Sequence, residues 1–375
     1  MVEAVLKDDD RYSVHAPVPV GDTSTLLNRM RSTAGQDAAV LVGFDFPMGL
    51  PARYAELAGI EDFLSLVPRL GEQEWSDFYK VAERSDQINV YRPFYPQRPG
   101  GTAMRHLLDA LGVQTGDELL RRCDRGYPGR PAAAPLFWTM GAKQVGKAAI
   151  AGWRDLLAPA LRSRDLHLAV WPFEGELHEL LRSERTVIVE TYPAEFYRHL
   201  GIKLGSKRNQ DDRRNNAATL LGWADEVAVD LSPEMRATIR EGFGPSSDGE
   251  DPFDATIGLF GMLNVVFGRR PPGEPMDTIT RKIEGWMLGQ LQTATEREAN
   301  DTRFQVEEVA AVPAVESSPE YDPLADLYDL EYDHDYDLPF WLALAEREAG
   351  PVVEWGAGTG RIAVPLAAAG HDVTA

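Results

Sequence analysis

The chain has 375 residues, a net charge of −21 and a hydrophobic content of 43%. This length suits two domains or one large domain with a sizeable core. The surplus of acids excludes nucleic-acid binding by bulk attraction, because phosphates would be repelled. A single cysteine, Cys123, excludes an intrachain disulfide or a cysteine zinc site. No apolar run suits a signal peptide or a membrane span, so we expect a cytoplasmic protein that does not enter a membrane.

The N-terminal pattern predicts strands before helices. Residues 2–20 read as a β-hairpin turning at KDDDR, and GDTSTLLNRMRSTAG reads as a helix with Asp22 as N-cap. The segment VLVGFDFPMGLP predicts a short buried strand that ends in Asp45 and is stopped by proline and glycine. Residues 52–150 predict helices and loops.

Buried elements are also predicted in the second part of the chain. RTVIVETYP indicates a strand with Glu190 near its end, and AEFYRHLG begins a helix. DPFDATIGLFGMLNVVFG and TITRKIEGWMLGQLQ indicate two more helices. Residues 293–320 lose periodicity and predict a linker.

Four carboxylates occupy positions where α/β folds place chemistry. Asp45 and Glu190 end buried strands, and ligands of α/β sheets bind at that edge. Asp251 and Asp254 open the apolar helix. Clustered carboxylates raise one another's pKa, and Mg²⁺, which prefers oxygen ligands, would relieve the repulsion. Helix capping, with Asp251 at the N-cap and Asp254 at the third position, is the alternative for the helix pair, and a strand-end acid can also cap a turn.

Basic residues are concentrated between residues 92 and 154, a segment that contains ten Lys and Arg but four Asp and Glu. This region predicts a surface for nucleic acid or nucleotides, and an ordinary solvated arginine face is the alternative. Within it, GAKQVGKA approaches a phosphate-binding loop but has Ala148 where the magnesium-binding hydroxyl would stand. We therefore expect no ATP binding by this loop.

Several motifs together carry a family resemblance over about residues 1–292. GFDFPMGLP, RPFYPQRPGG, LFWTMGAKQVGKAAIAGWRD, WPFEG, VETYPAEFYRHLG and GEDPFDATIGLFGML resemble the bacterial DUF429 family. The resemblance implies an α/β fold with a ribonuclease H-like mixed sheet, and a magnesium-dependent nuclease or phosphodiesterase. It also implies catalytic and metal-binding roles for Asp45, Glu190, Asp251 and Asp254, with Lys147 among the catalytic residues. Within this resemblance, Lys143 and Lys147 would be anion contacts that face the acidic site, and surface charge is the alternative.

One departure from that pattern concerns the first strand. Ribonuclease H-like folds begin with a central strand that carries the first catalytic aspartate, whereas this sequence starts where their second strand would start. We expect an N-terminal truncation or a misplaced start, a gap in the sheet and impaired nuclease activity.

The last residues, VVEWGAGTGRIAVPLAAAGHDVTA, predict a strand, a glycine loop, a helix and a second strand. The pattern resembles motif I of class I S-adenosylmethionine-dependent methyltransferases, and implies cofactor contacts from Glu354, Gly356, Gly358 and Gly360. Residues 321–375 would be an incomplete Rossmann-like fragment that binds S-adenosylmethionine weakly or not at all. The alternatives for the whole chain are a methyltransferase fusion whose first domain recognises substrate, and a non-catalytic scaffold that binds nucleic acid or a partner.

Overall fold

A computed structural model describes residues 1–291 and 338–374, with gaps at 8, 10, 36–37, 99–101, 128–129, 141–144, 164–166, 183–184, 349, 351 and 354–361. The described residues form a mixed α/β structure, as the sequence predicts. The chain divides into two compact units, Met1–Phe304 and Gln305–Ala375. The boundary between the two units falls within the predicted linker 293–320, which lies outside the described residues.

The described strands of the first unit form two three-stranded sheets. In one sheet, β1 (Ala4–Leu6) is antiparallel to β2 (Tyr12–Val14), which runs parallel to β6 (Asp230–Leu231). In the other sheet, β5 (Thr186–Glu190) lies between β3 (Val40–Phe44) and β4 (Leu168–Val170), and all three are parallel. The hairpin and both buried strands are thus confirmed, but the hairpin and β3 belong to different sheets.

The α-helices surround these strands. They are α1 (Leu26–Ala34), α2 (Ala52–Ala58), α3 (Phe63–Leu66), α4 (Met104–Leu111), α5 (Val145–Gly152), α6 (Ala158–Arg162), α7 (Leu177–Arg182), α8 (Pro193–His199), α9 (Gln210–Asn215), α10 (Ala217–Glu226), α11 (Pro233–Arg240) and α12 (Glu250–Val266). Two π-helical turns cover Trp153–Leu157 and Thr280–Glu284. Short 3₁₀ turns lie at Thr23–Thr25, Val67–Arg69, Gln73–Trp75, Ser85–Gln87, Gly116–Leu119, Arg122–Asp124 and Ser246–Gly249.

The core explains why two sequence segments are apolar throughout. Every residue of β5 is buried, because strands pair on both of its edges and protein covers both faces. Helix α12 packs closely on α8, and Gly261 of α12 faces the ring of Phe196. In the register of β3 and β5, Phe44 lies opposite Glu190, so the two predicted strand-end acids emerge at the same edge of the sheet.

Two predicted helix boundaries are wrong. Helix α12 begins at Glu250 with Gly249 as its N-cap residue, so Asp251 is not the N-cap and Asp254 is the fifth helical residue. The predicted last helix is helical only in its first part, because Gly285, with a φ of 66°, redirects the chain. A β-carbon at Gly285 would lie 1.9 Å from the Met48 carbonyl oxygen. Beyond this turn, the Leu288 amide donates a 2.9 Å hydrogen bond to the Glu190 carbonyl.

The second unit contains α13 (Leu338–Glu348), β7 (Val352–Val353), α14 (Ala363–Ala368) and β8 (Val373–Thr374). Strands β7 and β8 are parallel, with Val352 opposite Val373. The predicted succession of strand, helix and strand is confirmed, and the glycine loop with Glu354, Gly356, Gly358 and Gly360 lies outside the described residues. Among the helices that the structure describes, none has the length and apolar character required to cross a membrane.

Candidate active site

Asp45 directly follows β3, at the carboxyl edge of the parallel sheet. The charges of Asp254, Lys207, Glu190 and Asp251 all act on its carboxyl group, although they come from distant parts of the sequence. The fold therefore assembles one charged site from strand ends, a loop and a helix. All four predicted acids contribute to its electrostatics.

Asp254 is the best-buried acid of this site apart from Glu190, with 13% of its side chain exposed. Its Oδ1 accepts a 3.2 Å hydrogen bond from the Tyr197 hydroxyl of α8, and its Oδ2 accepts one from the Lys207 ammonium. Helix α12 presents Asp254 toward these partners because α12 packs on α8. Neither Tyr197 nor Lys207 was predicted as a site residue.

The site shifts the pKa of both aspartates upward. Asp45 remains accessible to solvent although protein surrounds much of its carboxyl group, and this desolvation, with the charge of Asp254, raises the pKa of Asp45 to about 7. Water screens part of that effect. Burial also raises the pKa of Asp254, against the opposing hydrogen bond and charge of Lys207. Both carboxylates therefore lie where their negative charge is costly.

Lys207 is a cation whose positive charge acts on both aspartates. Burial lowers the pKa of Lys207, but its hydrogen bond with Asp254 and the charges of Asp254 and Asp45 outweigh burial, so the pKa is raised. Lys207 thus stays protonated and partly neutralises the two acids. Only a weak local signal indicates Lys207, namely the two cations that GSKRN places in a polar loop before α9.

Asp251 is an exposed residue in the first turn of α12. Its charge acts on Asp45 and on the N-terminal ammonium of Met1. Together with Glu250, Asp251 also interacts favourably with the helix dipole. The capping alternative is therefore right about the dipole interaction but wrong about the N-cap position, which Gly249 occupies. Asp251 therefore lies at the rim of the site.

Glu190 differs from the aspartates because its carboxylate is already fully engaged. Arg121 donates to both oxygens, at 2.6 and 2.7 Å, and the Met48 amide donates at 2.6 Å. Arg121 is buried and also binds Asp124 through two further hydrogen bonds of 2.9 Å. This arrangement ties the end of β5 to the loop after Asp45, and leaves little capacity in Glu190 for a metal ion.

The predicted basic surface is largely used inside the chain. Seven of its ten cations donate to carboxylates or backbone carbonyls: Arg92, Arg98, Arg105, Arg121, Arg122, Arg130 and Arg154. Lys147 is exposed on α5, and within the described part of the chain no hydrogen bond or ion pair joins it to the four acids. Lys143 lies outside the described residues. Lys207 contacts Asp254, whereas Arg208 pairs with the neighbouring Glu250, which is not one of the four predicted acids.

Within the described residues, the acids of this site do not form a complete metal-binding cage. Among residues 1–291 and 338–374, apart from the gaps, no group of three or more His, Cys, Asp and Glu side chains is arranged to hold a metal ion. Mg²⁺ is commonly bound by one or two carboxylates together with waters and substrate phosphates. Asp45, which solvent reaches, and Asp254 supply two such oxygen donors.

Comparison with known protein families, with curated proteins and with solved structures finds no match for this chain.

Proposed function

We propose that the first unit is a metal-dependent hydrolase of phosphodiesters, acting on nucleic acid or nucleotides, with Asp45 and Asp254 at its centre. The observation that supports the proposal is that the charge of Asp254 acts on Asp45 at the carboxyl edge of the parallel sheet, and that burial raises the pKa of both aspartates. Two carboxyl groups whose negative charge is costly where they lie favour a function that uses that charge.

The metal ion in this proposal is Mg²⁺, which Asp45 and Asp254 would hold together with water and a substrate phosphate. When bound, it would supply Lewis-acid stabilisation of the phosphoryl oxygens. The chain's own residues prepare that site. Tyr197 orients Asp254 through its hydroxyl, Arg121 fixes the sheet edge through Glu190, and Lys207 supplies a positive charge for a phosphate.

We also propose that the first unit is a ribonuclease H-like domain of the DUF429 type in the cytoplasm. The support is the order of its elements: an antiparallel hairpin, a helix, parallel strands whose ends carry acids, and a late apolar helix that returns an acid to the same edge. The sheets are small and separate, so this assignment depends mainly on the motifs and on the position of the acids.

A direct test measures hydrolysis of labelled single- and double-stranded DNA and RNA with Mg²⁺ or with EDTA. Wild type is compared with Asp45→Asn and Asp254→Asn, and Asp155→Asn is the control because Asp155 pairs with Arg154 on the surface. We expect both site variants to lose at least about 100-fold in rate and the control to keep its rate. Equal rates in all four proteins would refute the site, and binding without hydrolysis would favour the scaffold alternative.

A second candidate function concerns the second unit alone. Its parallel β7 and β8, joined through α14, favour the start of a nucleotide-cofactor domain. We infer methyl transfer from S-adenosylmethionine as the activity to which this unit would contribute. Isothermal titration with S-adenosylmethionine tests it: millimolar or absent binding is expected for these residues, and micromolar binding would show a functional cofactor site.

A further inference from the structure

A buried arginine fixes the loop that carries Lys207. The Lys207 loop comprises residues 203–209. The guanidinium of Arg213 donates to the Lys207 carbonyl and also to the carbonyls of Gly242, Gly244 and Ser246, the last three at 2.8–2.9 Å. Arg213 is fully buried, so these bonds form away from competing water. The Lys207 loop and the segment leading into α12 are therefore joined through one side chain.

Gly249 leaves the space that this connection needs. A β-carbon at Gly249 would lie 2.3 Å from Arg213 Nη2, which is far closer than any allowed contact. The other end of the loop is tied by Asn216, whose side chain accepts from the Lys203 amide at 2.9 Å and donates to the Lys203 carbonyl at 2.8 Å. The backbone of the loop is thus held at both ends, and the Lys207 side chain is left as the adjustable part.

The Lys207 ammonium and a divalent cation would need the same atom. Asp254 Oδ1 accepts from the partly buried Tyr197 hydroxyl, whereas Oδ2 accepts from the more exposed Lys207 side chain, so Oδ2 is the oxygen at which a metal ion would compete with Lys207. Lys207 is 44% exposed and its flexible stem ends near solvent. Its side chain can leave Asp254 without any movement of the loop backbone.

We propose that Lys207 is the internal counter-ion of the Asp45–Asp254 pair, and that a divalent cation binds the pair by displacing the Lys207 ammonium from Asp254. This inference rests on the proposed function, because it concerns the same two carboxylates. The displaced ammonium remains beside the site, where it can contact the phosphate of a substrate. Lys207 is a positioning residue for the acids in the metal-free protein and a phosphate contact in the loaded protein.

The test measures Mg²⁺ binding by isothermal titration calorimetry at pH 7.5, without substrate. Lys207→Gln and Lys207→Met remove the competing charge, so both should bind Mg²⁺ at least about fivefold more tightly than wild type. Lys207→Arg keeps the charge and should restore near wild-type affinity. A residue with a purely structural role would not increase the affinity when it is removed.

The matched control is Arg208→Gln in the same loop. Arg208 is 69% exposed and pairs with Glu250 Oε1 at 3.4 Å instead of Asp254, so we expect a change below about twofold, because salt screens exposed charges. Thermal unfolding of each variant confirms that the first unit is folded.

Each of the other outcomes contradicts the proposed displacement of Lys207 from Asp254 by the metal ion. Unchanged or weaker Mg²⁺ binding in the Lys207 variants refutes it, and if Asp45→Asn still abolishes binding, the proposed function survives. Absence of binding in wild type and in all variants refutes both. Equal increases in Lys207→Gln and Arg208→Gln would show a general charge effect and not displacement at Asp254.

Discussion

The buried ion pair with Arg121 indicates that Glu190 has a structural role and is not a metal ligand. The substitution Glu190→Gln tests this interpretation. The substitution keeps the shape of the side chain but removes the charge that faces a fully buried guanidinium. Glu190 itself is 3% exposed, so water cannot replace the lost partner. Removing one partner of a buried ion pair costs about 3–5 kcal/mol.

We expect a loss near the lower end, about 3 kcal/mol, because Asp124 still accepts two hydrogen bonds from Arg121. That loss corresponds to a fall in the melting temperature of about 6–12 °C for a domain near this size. Thermal and urea unfolding at pH 7, followed by circular dichroism, measure it. Mg²⁺ affinity should change little, since Asp45 and Asp254 are intact.

The control is Glu56→Gln, which breaks the exposed pair with Arg53. Glu56 is 70% exposed, and such pairs contribute about 1 kcal/mol or less. If Glu190→Gln destabilised the protein no more than this control but abolished Mg²⁺ binding, Glu190 would be a metal ligand and our interpretation of the ion pair would be wrong.

Four further predictions concern pH and packing. Because the pKa of Asp45 is raised to about 7 in the folded protein, the protonated carboxyl group contributes stability that is fully present below about pH 4 and is lost as the pH rises through 7. The substituted side chain does not titrate, so the melting temperature of Asp45→Asn should exceed that of wild type by a margin that grows from about pH 4 to about pH 7. Metal binding must also displace that proton, so Mg²⁺ affinity of the wild type should fall below pH 7, and a pH-independent affinity in calorimetry would contradict the shift. Burial lowers the pKa of His199 to about 4, so its stabilising contribution is complete above pH 6.5 and is lost as pH falls through 4; His199→Gln should flatten the acid limb of a stability profile. Gly261→Ala would place a β-carbon 2.2 Å from the Phe196 ring and should cost about 1–3 kcal/mol, whereas Gly222→Ala, with nothing within 4 Å, should stabilise α10; equal effects in urea unfolding would refute this packing.

The parts of the fold that the sequence predicted correctly depend on local patterns. The strands that end at Phe44 and Glu190 are short apolar runs bounded by turn residues, and Asp22 does cap the first helical turn, accepting from the Ser24 amide. Helix α12 is apolar on all sides because it is buried on most of its surface, so its presence was clear although its first residue was not.

The remaining features depend on contacts between residues far apart in sequence. Nothing local to Glu190 indicates that Arg121 would occupy both its oxygens, and nothing local to Gly285 indicates that the Met48 carbonyl lies against it. The role of Lys207 could not be predicted for the same reason, because it depends on contact with Asp254, which lies in α12 in a distant segment of the chain. Net charge along the sequence pointed to residues 92–154, but a linear count cannot tell which arginines are already paired.

The central claim is that Asp45 and Asp254 hold a divalent cation while Glu190 does not. Electron paramagnetic resonance of Mn²⁺, which reports free ion directly, tests it on wild type, Asp45→Asn, Asp254→Asn and Glu190→Gln at pH 7.5. We predict that wild type and Glu190→Gln deplete the free Mn²⁺ signal, and that both aspartate variants bind at least about tenfold more weakly. Binding by Asp45→Asn equal to that of wild type would contradict the account.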